Sequence, residues 1–172
     1  MLTLPEIIDQ PARRYVAVRR RVCIPFGDMV APAYDELFAA FAEAGVQSEG
    51  LEFIKYNVVA MPNLEIEIGI TADARLPLTG TITAGVLPAG RYARLTYTGP
   101  YEQLMDANRV LIEWAKENGI HWDSTQAQDG EHFAARLEVY ENNPSTEPAP
   151  AKLVTTLLFK IADPNLSFRN FR

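Results

Sequence analysis

The residues best equipped for chemistry lie in HFAARLEVYENNP, residues 132–144, where Arg136, Glu138 and Tyr140 alternate with apolar neighbours. On a strand, that alternation puts these three side chains on one face and Phe133, Ala135, Leu137 and Val139 on the other. A carboxylate beside aromatic rings suits flat, lipophilic cations, through charge pairing and stacking. The same rule places Glu65 and Glu67 opposite the apolar set Leu64, Ile66, Ile68 and Ile70 in LEIEIGI. It also places Tyr92, Arg94 and Thr96 opposite Ala93, Leu95 and Tyr97 in RYARLTY. The candidate binding residues are therefore Glu138, Tyr140, Tyr92, Tyr56 and Glu67, with Trp122 as a lid aromatic from the loop GIHWDSTQAQDGEH. Polar residues on one face of an antiparallel sheet need no function, so a plain solvated face is the alternative.

Other chemistries find little support. The two histidines, His121 and His132, stand at no metal-ligand spacing with the single cysteine, Cys23, or with a carboxylate pair. No metal, cofactor, Cys-His nucleophile or disulfide framework is expected. Net charge is −6, which argues against nucleic acid as a partner. The one dense basic run, RRYVAVRRR at 13–21, reads as a strand with Arg19 and Arg21 solvated. The N-terminal MLTLPEIIDQP has no leader pattern and no segment has the length to span a bilayer, so a soluble, cytoplasmic protein is expected. With 48% hydrophobic and 22% charged residues, the 172 residues are expected to form one globular domain, 1–172.

The elements that must position these residues come in duplicate, over about 12–74 and 84–163. The first half reads as a strand at 13–22, a helix at 30–44 and strands at 52–60 and 64–72. The second repeats that order, with RYARLTYT from 91, a helix over 100–118, HFAARLEVY from 132 and KLVTTLLFKIA from 152. The second helix carries one stripe, Tyr101, Leu104, Met105, Asn108, Leu111, Ile112 and Ala115, at spacings of three and four. Gly45 and Gly119 stand where left-handed caps end both helices, and aligning on them matches Leu37 with Leu111 and Phe38 with Ile112. Among the strands Tyr56 matches Tyr140, which sets Glu138 where the first half has Ile54. A carboxylate in the middle of that strand departs from the duplicated pattern.

These features predict an α+β fold of two βαββ units related by a pseudo-twofold axis. Their antiparallel sheets join edge to edge, both helices lie on one side, and a ligand cavity forms on the concave side opposite them. Leu137 and Val139 should then meet the helices, while Tyr92, Glu138 and Tyr140 line the cavity. The stretch YTGPYEQL, 97–104, is mainly a corner in which Gly99 and Pro100 turn a strand into a helix, with Tyr97 or Tyr101 within reach of a nearby cavity.

The run LPAGRYARLTYTGPYEQLMDANRVLIEWAKENG, followed by LEVYENNP and a closing apolar strand, resembles the GyrI-like small-molecule-binding domains, also met as effector-binding domains of AraC-type and MerR-type multidrug regulators. The resemblance is closest over residues 86–162. It implies a cavity between the halves in which a buried acid, here Glu138, meets lipophilic cations. Some stand-alone members resemble hydrolases of cyclopropane-bearing electrophiles; by that analogy Glu138 would position or deprotonate water, and Tyr140, Tyr92 or a tryptophan would orient the ligand. Others resemble gyrase inhibitors, which implies a protein partner. Residues 1–12 leave no room for a DNA-binding module, so the expectation is a stand-alone binder of lipophilic, cationic or aromatic compounds, with the hydrolase and the interaction module as alternatives.

Overall fold

The computed structural model describes residues 1–73, 76 and 80–164. In chain order its elements are β1 (Glu6–Gln10), β2 (Arg13–Cys23), α1 (Val30–Glu43), β3 (Glu52–Ala60), β4 (Asn63–Thr71), β5 (Ile82–Leu87), β6 (Gly90–Thr98), α2 (Leu104–Glu117), β7 (Ser124–Ala127), β8 (Gly130–Phe133), β9 (Arg136–Tyr140) and β10 (Val154–Lys160). Among the described residues these strands form one sheet in the order β1-β6-β10-β9-β3-β4-β2-β5, with the β7-β8 hairpin attached to β3. All pairs are antiparallel.

The duplication is visible in the centre of the sheet. β3 and β9, the matched strands of the two halves, pair with each other, and Ile54 lies directly opposite Glu138. Equivalent residues facing each other mark the pseudo-twofold axis. Gly45 and Gly119 adopt φ of 68° and 65°, the left-handed geometry that closes each helix without a Cβ clash. Leu37 and Leu111, paired by the alignment, are both fully buried under their helices.

The sheet is curled, and its connections explain why. β1 lies on one margin beside β6, yet only Pro11 and Ala12 separate it from β2, next to the other margin. β5 on that far margin is joined to β6 by Pro88 and Ala89 alone. Connections this short bring the two margins together, giving a half-barrel. Its inside is filled by Tyr15, Ala17, Phe53, Leu87, Leu137 and Val139, and the void that the last four share with Tyr92 is only ≈ 30 Å³. The outside carries the helices. α1 packs on Val16, Val18, Ile66 and Ile68, and α2 on Ala93, Leu95, Leu157 and Phe159.

This corrects the expected faces of β9. Leu137 and Val139 do not meet the helices; they point into the curl, and Arg136, Glu138 and Tyr140 point toward the helices, where Asn108 of α2 donates a hydrogen bond to Glu138. Alternation along the strand holds, but apolar character identified the wrong face, because the curl buries both. Tyr92 is separated from Glu138 for the same reason, since it is on the inside. The stretch read as a lid loop instead forms the β7-β8 hairpin, and 132–140 breaks at Ala134 into two strands. Gln128 and Asp129 form the two-residue turn of that hairpin, and Gly130, at φ 129°, opens its second strand opposite Ala127. β1 and β5, which the repeat pattern omitted, are the margin strands.

Leu137 is 2% exposed inside the curl. Leu137→Ala is expected to cost about 2–5 kcal/mol in urea unfolding, the cost of a core cavity. A residue on a solvated face would lose less than about 0.5 kcal/mol.

Candidate functional site

Between the helices, on the outside of the half-barrel, lies a cavity of ≈ 940 Å³. Its floor is the central strand pair: β9 contributes Arg136, Glu138 and Tyr140, and β3 contributes Glu52 and Tyr56. One wall is α1 with the turn before it, through Phe26, Tyr34 and Phe38. The other is α2 and its approach, through Tyr101, Leu104, Asn108 and Ile112. The period of the second helix explains that wall, since Tyr101, Leu104, Asn108 and Ile112 fall on one stripe while Leu111 and Ala115 turn under it into the core.

Aromatic rings flank the floor on both sides of the axis. Tyr140 meets Tyr101 edge to face at 5.6 Å, and Tyr56 meets Phe26 edge to face at 6.4 Å. Met61 and Met105, 59% and 62% exposed, belong to the mouth and offer adaptable apolar contacts there.

Glu138 sits at the bottom, 7% exposed. The Tyr140 hydroxyl donates to its Oε2 at 2.9 Å and the Asn108 Nδ2 to its Oε1 at 3.2 Å. Asn108 is held for this by donating also to the Leu104 carbonyl at 2.8 Å. Burial pushes the Glu138 carboxyl above the ordinary value; the hydrogen bonds from Tyr140 and Asn108, the Tyr56 hydroxyl and the charge of Arg136 oppose that without cancelling it. Burial, reinforced by the carboxylate, drives the Tyr56 and Tyr140 hydroxyls well above their usual range, so both remain donors. Glu52, half-buried at one end of the floor, is also raised by burial, and the Asn143 amide that donates to it at 3.3 Å offsets this in part. The arrangement can hold a positive charge against a desolvated carboxylate and stack its apolar parts on tyrosines.

Of the residues expected from sequence, Glu138, Tyr140 and Tyr56 come together here. Three others do not. Tyr92 is inside the curl, its hydroxyl donating to the Pro88 carbonyl at 2.6 Å. Glu67 is on that same inner side, where it accepts from the Tyr15 hydroxyl at 2.8 Å and pairs with Lys55 at 3.3 Å. Burial alone would raise the Glu67 carboxyl, but Lys55 and its hydrogen-bond donors outweigh it and hold the group below the ordinary value. Trp122 stacks edge to face on Phe159 at 5.1 Å, away from the cavity, and Trp114 packs onto the core under α2. Sequence reasoning overlooked Glu52, Tyr34 and Asn108 as site residues. A signal existed for Asn108, a lone amide in an apolar stripe. None existed for Glu52, which differs from other strand-end glutamates only by what faces it. Among the described residues no group of three His, Cys, Asp or Glu side chains is placed to hold a metal ion, and no helix is long and apolar enough to cross a membrane.

The family model for the GyrI-like small molecule binding domain matches residues 4–162. The chain belongs to that family. Solved structures agree on the fold. The C-terminal domain of EcmrR is 18% identical with a TM-score of 0.65, covering 93% of this chain and 98% of its own. The longer EcmrR chain seen in its complex with DNA is matched over 57% of its length. A hydrolase from Listeria innocua is 13% identical with a TM-score of 0.59, covering 92% of this GyrI-like chain and 91% of its own. SAV2435 bound to tetraphenylphosphonium is 9% identical with a TM-score of 0.57, covering 99% and 100%. No curated protein sequence matches.

The raised carboxyl of Glu138 has a consequence for stability. A folded-state value above the ordinary 4.5 means that the folded chain holds the proton more tightly, so its contribution to stability is complete below about pH 4 and is lost as pH rises through the raised value. Glu138→Gln removes this loss. The variant is expected to gain on the wild type in urea unfolding as pH rises from about 4, and a difference independent of pH would contradict the assigned burial.

Proposed function

We propose that this GyrI-like domain binds lipophilic aromatic cations, to sequester or sense them. The observation that carries this reading is the Glu138 carboxylate, buried at the floor of an aromatic-walled cavity of ≈ 940 Å³, within the size range of small-molecule sites. A cation placed above it regains in charge pairing what the carboxylate loses by burial, while the rings and methionines take up apolar surface. The resemblance in fold to SAV2435, seen with tetraphenylphosphonium, supplies a first probe.

Glu138→Gln keeps shape and removes charge. Tetraphenylphosphonium affinity is expected to fall by about 2–5 kcal/mol, measured by calorimetry, while neutral triphenylphosphine oxide changes little. Equal losses for both compounds would count against charge recognition. Because a cation lowers the raised carboxyl, binding should also release protons near the pH at which Glu138 is partly protonated, seen as a dependence of the binding enthalpy on buffer.

A hydrolytic reading rests on the same group. A carboxylate made more basic by burial and oriented by Tyr140 and Asn108 is suited to take a proton from water. On this reading Glu138→Gln abolishes turnover of a cyclopropane-bearing electrophile while its binding persists, as followed by mass spectrometry of the product. Turnover that survives the substitution would remove the carboxylate from the chemistry.

A further inference from the structure

The charges on the cavity floor are ordered along the central strand pair. Arg136 comes first, Glu138 two residues on, and then Tyr140 with Glu52 directly opposite it. Same-face steps along a strand are roughly 7 Å, so the positive end and the doubly acidic end are separated by about the length of a fused aromatic ring system. The duplication makes this polarity explicit. The match that sets Glu138 against Ile54 and Tyr140 against Tyr56 also sets Arg136 against Glu52, so symmetry-related positions carry opposite charge.

Arg136 is an unusual cation. Its guanidinium lies in a cage of rings, 4.6 Å from the centre of Phe159, 5.0 Å from Phe133 and 5.8 Å from Tyr56. Its Nε is sealed from solvent without a hydrogen-bond partner. Among the described residues no carboxylate lies within ion-pair distance of it; Glu138 and Glu131 act on it only through space. Aromatic faces compensate the charge, but they accept none of the five in-plane N–H bonds that a guanidinium offers. The residue also lines the cavity, so water can serve its terminal nitrogens while the cavity is open. A ligand that expels this water must return an acceptor, or it leaves a desolvated cation unpaired.

We propose that the cavity selects bipolar ligands: an aromatic cation over Glu138 and Glu52 that also carries, at its other end, a carboxylate or similar planar acceptor docked on the Arg136 fork. The inference rests on reading the cavity as a small-molecule site, and it narrows the ligand class from bare lipophilic cations to zwitterions and acceptor-bearing cations. A carboxylate is favoured because two parallel N–H bonds from a guanidinium match its geometry.

Rhodamine B and its ethyl ester test this, because they share one xanthenylium cation and differ in a free carboxylate. The wild-type chain is expected to bind the acid on the order of tenfold more tightly than the ester, by fluorescence anisotropy at fixed salt. Arg136→Met, which leaves an apolar side chain in the cage, should bring the two affinities together. Arg136→Lys, with charge but no fork, should retain only part of the preference. Glu138→Gln should weaken both dyes by a similar factor. The comparison of two ligands on the unmodified chain decides the matter even where a variant fails to fold. Ester bound as tightly as acid, with both still sensitive to Glu138→Gln, overturns this proposal and leaves the binding function standing. An acid preference that survives Arg136→Met overturns the assignment to Arg136. Failure of the folded wild type to bind either dye overturns both readings.

Discussion

Two short connections govern this structure. Pro11-Ala12 and Pro88-Ala89 each span from one margin of the sheet to a strand at or beside the other, so the sheet cannot lie flat. Once curled, it has an inside and an outside, and both must be dry. The inside closes on its own side chains, with Phe53 lying against the bare backbone of Gly69, where a Cβ would come within 2.7 Å of the ring. The outside needs the helices. Two helices on a sheet this wide cover its two halves and leave the axis between them uncovered, and the cavity forms there.

That placement accounts for the chemistry of Glu138. A carboxylate on the outer face of the central strand pair is far from the margins and flanked by both helices, so it is desolvated by geometry rather than by a dedicated pocket. It tolerates that position because Tyr140 and Asn108 reach it from the floor and the wall. A desolvated acid among rings stores an unfavourable charge that a cation would relieve, which on the proposed reading ties the stability of the fold to recognition. Glu67 shows the opposite outcome for a buried glutamate. With Lys55 and Tyr15 beside it, it is satisfied internally and offers nothing to a ligand.

On the proposed reading, the departures from symmetry carry the specificity. Ile54 against Glu138 and Glu52 against Arg136 are matched positions at which the two halves differ in charge, and all four lie on the outer face of the central strand pair. The pairs that were kept, Leu37 with Leu111 and Gly45 with Gly119, hold the helices in place. In a duplicated fold, framework residues can stay matched because both halves solve the same packing problem, whereas one ligand placed across the axis meets each half differently.

How much was legible follows the range of the interactions. The two helices and the strands of the repeat, the left-handed caps at Gly45 and Gly119, the duplication and the singular carboxylate at 138 were readable, because alternation, helical period and cap chemistry depend on neighbours within a few residues, whereas β1, β5 and the β7-β8 hairpin were not. The joining of Tyr56, Glu138 and Tyr140 followed from the repeat. The choice of face for β9 was not readable, since Leu137 and Val139 are as apolar as residues under a helix, and only the curl decides that they point inward. The same long-range event withdrew Tyr92 and Glu67 from the cavity and brought in Glu52 and Tyr34. Sequence by itself determined which residues share a face; tertiary structure decided which face the helices cover, because that depends on contacts between strands that two prolines bring together from opposite margins of the sheet.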